Sequence, residues 1–217
     1  MAQVGRPRST KARAAILGAA LRMARTGGHL RMTMQRIARE AGVSKQTIYR
    51  WWASPAEVLL EAIQERARTG IPVPDTGSLR EDLAGFLAAT LALPRRIPGL
   101  DDMLRALMAE AQYDPDLAAV LRRDLIDPRR AVLRSIFERA HARGELADLS
   151  GADLWLDVAF GVIWYRVLTG VGPRNAALAE RLATLLAREA KAGKRGPRSP
   201  GRALLRGPRG PRRRAAA

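Results

Sequence analysis

Cysteine is absent from the 217 residues, and histidine occurs only twice, at His29 and His141. The first absence excludes a thiol nucleophile, a disulfide framework and a thiolate metal site. The two histidines are isolated from each other near predicted helix ends, so each reads as a surface residue rather than a catalytic base. Long apolar runs are missing too. The most apolar stretch, 152–169, is interrupted by Asp153, Asp157 and Arg166 and cannot span a membrane. No signal or transit peptide is predicted, because the apolar run after Arg13 reads as an amphipathic first helix. A cytoplasmic, nucleoid-associated protein is expected. No glycine-rich phosphate loop follows a strand and no Ser/His/Asp spacing stands out, so no catalytic residue, metal or cofactor is expected, and no enzyme. Glu110, Asp114 and Asp116 could imitate a metal cluster, but read better as solvated acids at helix ends.

Acidic residues are scarce, 21 against 38 Lys and Arg, and the deficit is uneven. Residues 1–70 carry a net charge of +9, residues 71–190 carry −2, and residues 191–217 carry +10. A basic head and tail flank a nearly neutral body, which is the footprint of a DNA-binding head on a body with another task. The tail, residues 192–217, is Arg/Pro/Gly low complexity without a core-forming pattern and is expected to be disordered, adding non-specific, salt-dependent DNA affinity.

What is present at 33–52, TMQRIAREAGVSKQTIYRWW, is the most informative segment. Thr33 is a good N-cap, and Met34, Ile37, Ala38 and Ala41 recur at helical spacing. Gly42 sits where a chain leaving a helix needs positive φ, and Ser44 caps the next helix. In that second helix Ile48 and Trp52 face inward, while Lys45, Gln46, Thr47, Tyr49 and Arg50 face outward with no acid among them. The pattern is a helix-turn-helix, a unit that places a helix in the DNA major groove. Base-edge contacts are expected from Lys45, Gln46 and Thr47. Backbone contacts are expected from Thr33, Ser44, Tyr49 and Arg50. Arg6, Arg8 and Lys11 form a basic arm that lies in the minor groove or acts as a non-specific extension. Trp52 reads as core. Trp51 either packs at the edge of the head or lies along the sugar-phosphate backbone.

Residues 9–63 resemble the DNA-binding domain of the TetR family of bacterial transcriptional regulators. The resemblance is carried by AAILGAALRMARTGG, MTMQRIAREAGVSKQTIYRWW and SPAEVLLEAI in that order. It implies a three-helix head packed on a fourth helix, a helical effector-binding domain and a homodimer. The chain departs from the family pattern at Pro55, where a lysine usually meets a phosphate, and at the Trp51–Trp52 pair.

The expected fold is therefore all-α: an N-terminal three-helix helix-turn-helix domain and a helical effector-binding and dimerisation domain, with about nine or ten helices in total. The expected boundaries are a basic arm at 1–9, the head with linking helix four at 10–68, a linker at 69–77, the helical domain at 78–191 and the tail at 192–217. Capping boxes are predicted at Ser54/Glu57 and Ser78/Glu81, and helix starts at Ser150/Asp153, Asp114-Pro115 and Asp127-Pro128. The last two imply two helices or one kinked helix. The helix at about 152–169 is apolar on nearly every face and is expected to be buried on all sides. With the helix that follows it, it offers a dimer surface through Phe160, Trp164, Leu178, Leu182 and Leu185.

Candidates to line an effector cavity among the middle helices are Phe86, Met103, Leu107, Met108, Tyr113, Phe137 and Trp155, although for each taken singly plain core packing is the favoured reading. The faces carry few polar groups, so the effector is expected to be an apolar or aromatic small molecule. The functional expectation is a repressor of transcription that binds a double-stranded, pseudopalindromic operator as a homodimer and is released by that molecule. The alternative is a basic protein that coats DNA without sequence preference.

Overall fold

The computed structural model describes residues 6–25 and 32–192, with side chains from Thr10 onward. Every regular element among them is helical. The head contains α1 (Arg6–Arg25), α2 (Met34–Ala41) and α3 (Lys45–Tyr49); α1 packs on both α2 and α4 (Pro55–Gly70), and α3 packs on α2. The body contains α5 (Leu79–Arg96), α6 (Leu100–Glu110), α7 (Pro115–Leu121), α8 (Asp127–Ala142), α9 (Ala152–Thr169) and α10 (Ala176–Ala192). A single apolar core runs from Ile16 to Ala190 through both parts. Helix α5 packs most extensively on α10, and α6 and α8 both pack on α9.

Helix α1 begins at Arg6, so the stretch expected to be an arm is already helical from that residue. The side chains of Arg6 and Arg8, residues 26–31 with His29, and the tail from residue 193 lie outside the described residues.

The helix starts divide into those made locally and those made by the fold. Ser54 and Glu57 both act at this start, with Glu57 reaching one residue past the N-cap: Ser54 Oγ accepts from the Glu57 N–H at 3.2 Å, and the Glu57 carboxylate accepts from the Ala53 N–H at 2.8 Å. Asp114 accepts from the N–H groups of Asp116 and Leu117, both at 3.0 Å. Ser78 stands at the N-cap of α5 but makes no side-chain cap. The Leu79 N–H is taken instead by the Glu145 carboxylate, at 3.1 and 3.2 Å. Ser150 does not cap α9 either; Gly151 holds that position, and the Ser150 N–H and hydroxyl both donate to Asp148.

Asp127-Pro128 does not open a separate helix. The chain runs continuously from α7 through a π turn, Arg122–Ile126, into α8. The Asp127 N–H reaches back five residues to the Arg122 carbonyl. Proline cannot donate to the carbonyl four residues before it, and its ring collides with that carbonyl in a regular helix. The wider turn makes room for the ring, and the Asp124 carbonyl accepts a hydrogen bond from Gln64 Nε2 of α4 instead.

The stretch between head and body is tied down. Ile71 is buried, Arg139 Nη2 donates to the Pro74 carbonyl at 2.6 Å, and Arg143 pairs with Asp75 at 3.1 Å. Arg143 also meets Asp82, the one charged residue among the fully buried set described, at 3.2 Å.

Candidate nucleic-acid interface and effector cavity

The turn between α2 and α3 is made as its residues require. Gly42 adopts φ +67°, and the N–H groups of Gly42 and Val43 return to the Arg39 and Ala38 carbonyls at 3.2 and 3.0 Å. That closes the end of α2 with a left-handed residue, the conformation glycine adopts at least cost. Thr33 Oγ1 accepts from the Arg36 N–H at 3.2 Å, and Ser44 Oγ accepts from the Thr47 N–H at the same distance. Both hydroxyls therefore sit at helix N-termini, where free N–H groups and the helix dipole attract phosphate.

On α3, Ile48 is buried while Lys45, Gln46, Tyr49 and Arg50 are exposed. Thr47 is half-buried, with its hydroxyl 2.9 Å from that of Ser44. Lys11 is exposed on α1. Trp52 is core, as expected, and Trp51 is half-buried with its ring edge-on to Trp52, centroids 5.5 Å apart.

The anchor of this head is a residue that the sequence pattern does not single out. The Glu61 carboxylate on α4 accepts from the Trp52 indole N–H at 2.5 Å and pairs with Arg13 of α1. One acid on the linking helix thus holds both the end of the reading unit and the first helix. An exposed-looking glutamate in a helical stretch carries no signal of this role, because its partners lie nine and 48 residues away.

The apolar hollow in the body lies elsewhere than expected. It has a volume of about 100 Å³ and is bounded by Ile63 and Ala67 of α4, Leu91 of α5, and Phe160, Trp164 and Val167 of α9, among others. None of the seven anticipated residues lines it. Phe86, Phe137 and Met103 are fully buried core, and Trp155 stacks on Phe137 with centroids 5.0 Å apart. Met103 and Leu107 instead border a larger cleft of about 680 Å³ that also touches Pro55 and Glu57, where head meets body. Met108 only flanks the core, and Tyr113 is 92% exposed. The anticipated side chains fill the core or lie at the surface, while the hollow is bounded by a different set that includes Phe160 and Trp164.

A guanidinium reaches this hollow. Arg129 of α8 lies over the Phe86 ring, 5.1 Å from its centroid, and its Nη2 is buried without a hydrogen-bond partner. Burial alone pulls this side chain down to about 10, with no carboxylate close enough to oppose it.

Comparison with known proteins places the whole arrangement. A family model described as tetracyclin repressor-like, C-terminal domain, matches residues 73–186, and one described as bacterial regulatory proteins, tetR family, matches residues 16–62. The chain belongs to the TetR family of bacterial transcriptional regulators. It is 33% identical to the uncharacterised HTH-type transcriptional regulator YdeS of Bacillus subtilis, over 76% of this chain and 82% of that protein. It is also 33% identical to the DNA-binding transcriptional repressor TetR of Mycobacteroides abscessus, over 78% of this chain and 88% of that one. The crystal structure of the TetR family transcription regulator SCO0332 superimposes with a TM-score of 0.72 at 31% identity, covering 82% of this chain and 97% of that one.

In this TetR-family head, Pro55 occupies the first position of α4 and the Ser54 hydroxyl is already engaged in the cap. No ammonium stands there, so the start of α4 offers a phosphate only the helix dipole and its remaining N–H groups.

The surface of α9 is divided within the protomer. In the protomer, Ala152, Trp155, Leu156, Ala159, Ile163 and Val167 are buried, but Leu154, Tyr165 and Leu168 are exposed, Leu154 to 65%. The helix is thus covered on one side only. Of the residues expected at a dimer surface, Leu182 is 4% exposed and spent inside the protomer, and Phe160 and Trp164 turn to the hollow. Leu185 is exposed and Leu178 half-buried. Among the described residues, no helix is long and apolar enough to cross a membrane.

Proposed function

We propose that this TetR-family DNA-binding regulator is a ligand-released repressor that grips a pseudopalindromic operator as a homodimer. The observation that carries the reading is the double role of α4. Glu61 holds the reading unit, while Ile63 and Ala67 on the same helix wall the apolar hollow. A small molecule with a largely apolar body that filled the hollow would press on the helix that sets the head. Its binding free energy would favour a head position that no longer fits the operator, a shift of population rather than a new contact.

The base-reading groups are Lys45, Gln46 and Thr47. Thr33, Ser44, Tyr49, Arg50 and Lys11 hold phosphates, and the arm with Arg6 and Arg8 extends that hold. One such head covers only a few base pairs, so specificity requires a second about one helical turn away, ~34 Å. The uncovered strip of α9, Leu154, Tyr165 and Leu168, with Leu185 of α10, is the surface for the second copy. Apolar side chains of this size left in a row on one helix are characteristic of an interface. The repressor function of the M. abscessus relative supports the sign of regulation.

Two measurements test the proposal. Selection of binding sites from random DNA is expected to recover an inverted repeat, bound about a thousandfold or more tighter than bulk DNA. A recovered asymmetric site, or equal affinity for bulk DNA as a charge-coating protein would show, refutes it. Light scattering is expected to give a dimer that Leu168→Glu splits without loss of helicity, and a monomeric wild type would remove the symmetric operator from the reading.

A further inference from the structure

The polar side chains around the hollow are few, and among the described residues only one of them has a buried atom without a partner. The Thr90 hydroxyl donates to the Phe86 carbonyl at 2.8 Å. Asp101 and Arg174 close on each other in a two-pronged ion pair. Arg129 is the exception, with Nη2 buried and unpartnered. Its contact with the Phe86 ring stabilises one face of the guanidinium but accepts none of its hydrogens.

Arg129 and Ile71 also line a second hollow of about 440 Å³ between α4 and α8, so they form the wall between the two spaces. That outer hollow contains Glu61 and Glu65, which could have neutralised the arginine. Glu61 is taken by Arg13 and Trp52, and Glu65 by Arg68 at 2.6 Å. A half-buried cation with one buried nitrogen and no counter-charge is costly, and the natural relief is an anion. A planar guanidinium with free hydrogens suits a carboxylate above other groups, because two parallel hydrogen bonds form at once.

The volume limits the rest of the molecule. A dry cavity of ~150 Å³ in another protein holds benzene, so about 100 Å³ limits the enclosed part of the occupant to a short alkyl chain or a single ring seated part-way in, with its polar group at the wall. We propose that the hollow is the effector site for a small monocarboxylate, with its ring or chain among Leu91, Phe160 and Trp164 and its carboxylate on Arg129. The inference rests on the ligand-responsive reading above and narrows it from an apolar molecule to a small organic acid.

Calorimetric titration of the full chain without DNA tests the site itself. The probes are benzoate, phenylacetate and hexanoate, each against its alcohol: benzyl alcohol, phenylethanol and hexanol. At least one acid is expected to bind about ten- to a hundredfold tighter than its alcohol, as charge-assisted hydrogen bonds in a dry site are worth. Arg129→Gln and Arg129→Met are expected to abolish that preference and leave alcohol binding in place, while Arg129→Lys retains part of it. Alcohols that match the acids, a preference that survives Arg129→Gln, or no binding of any probe at millimolar concentration would each overturn the proposal. The wild-type comparison decides the matter even where a variant fails to fold. Release of operator DNA is read separately. Acid binding that leaves the DNA complex intact removes the ligand-released reading and keeps the site. Release by a neutral molecule, with no preference for acids, does the reverse.

Discussion

Gln64 offers the sharpest test of how head and body are joined. Its side-chain amide donates to the Asp124 carbonyl, an acceptor left open because Pro128 has no N–H to give it. Replacing Gln64 with leucine keeps the size and removes the donor, so a part-buried carbonyl loses its side-chain partner. The lost bond and the stranded acceptor together are worth about 1.5 kcal/mol, in the range of one to two for such groups. For a chain of this size that is about 3–6 °C in Tm. The cause can be isolated by a second change, Pro128→Ala, which restores an N–H four residues after Asp124 and lets the helix close on itself. In that background Gln64→Leu is expected to cost half as much or less, a coupling of about 1 kcal/mol in a double-mutant cycle read by denaturant unfolding. If the two changes are additive, the π turn is not the reason for the Gln64 contact, and the account of this junction fails.

Gly42→Ala is expected to destabilise the head by about 1–2 kcal/mol through the left-handed backbone alone, since a Cβ there meets nothing within 4 Å; Gly42→Asn should recover part of this in a thermal melt. Gln46→Ala is expected to weaken operator binding by about 1–3 kcal/mol and relax preference at one base position, whereas Arg50→Ala lowers affinity for all sequences and reduces the salt slope by about one. A binding series on single-base operator variants at several salt concentrations distinguishes the two. Burial would raise the Glu145 carboxyl, but hydrogen bonds from Arg143, the Leu79 N–H and Lys191 outweigh it and hold the group below its ordinary value of 4.5. Its contribution to stability is therefore present above about pH 4.5 and is lost as the pH falls below it. Glu145→Gln should lower Tm at neutral pH and make the acid loss shallower; an unchanged acid limb would count against this linkage.

The parts of the protein legible in the sequence are those governed by neighbours along the chain. Helix period, the turn at Gly42, and the caps at Thr33, Ser44, Ser54 and Asp114 each depend on groups within four residues, and the structure forms them as read. The exposed, acid-free face of α3 follows from the same local spacing. The capping signals that failed were of the same kind, but another acceptor won: Glu145 displaced Ser78 at the start of α5 from 66 residues away, and Asp148 engaged Ser150 from two residues away.

The cavity was not legible for a related reason. Periodicity tells which residues face inward, and it cannot tell which inward residues meet one another and which leave a space between them. Phe86, Phe137 and Trp155 met and closed the core, while Phe160 and Trp164, one helix face away, border the hollow with Ile63, Ala67 and Val167. The same limit applies to α9: apolar residues on every face show that partners are needed on both sides, and only the packed protomer shows which side it covers itself. Sequence by itself determined the helices, their caps and the reading surface, which are short-range consequences of backbone sterics. Only the tertiary structure decided that Glu61 anchors the head, that Gln64 ties it to the π turn, and that Arg129 stands unpaired in an apolar space. Those three depend on pairs brought together across helices, and no spacing along the chain encodes such pairs.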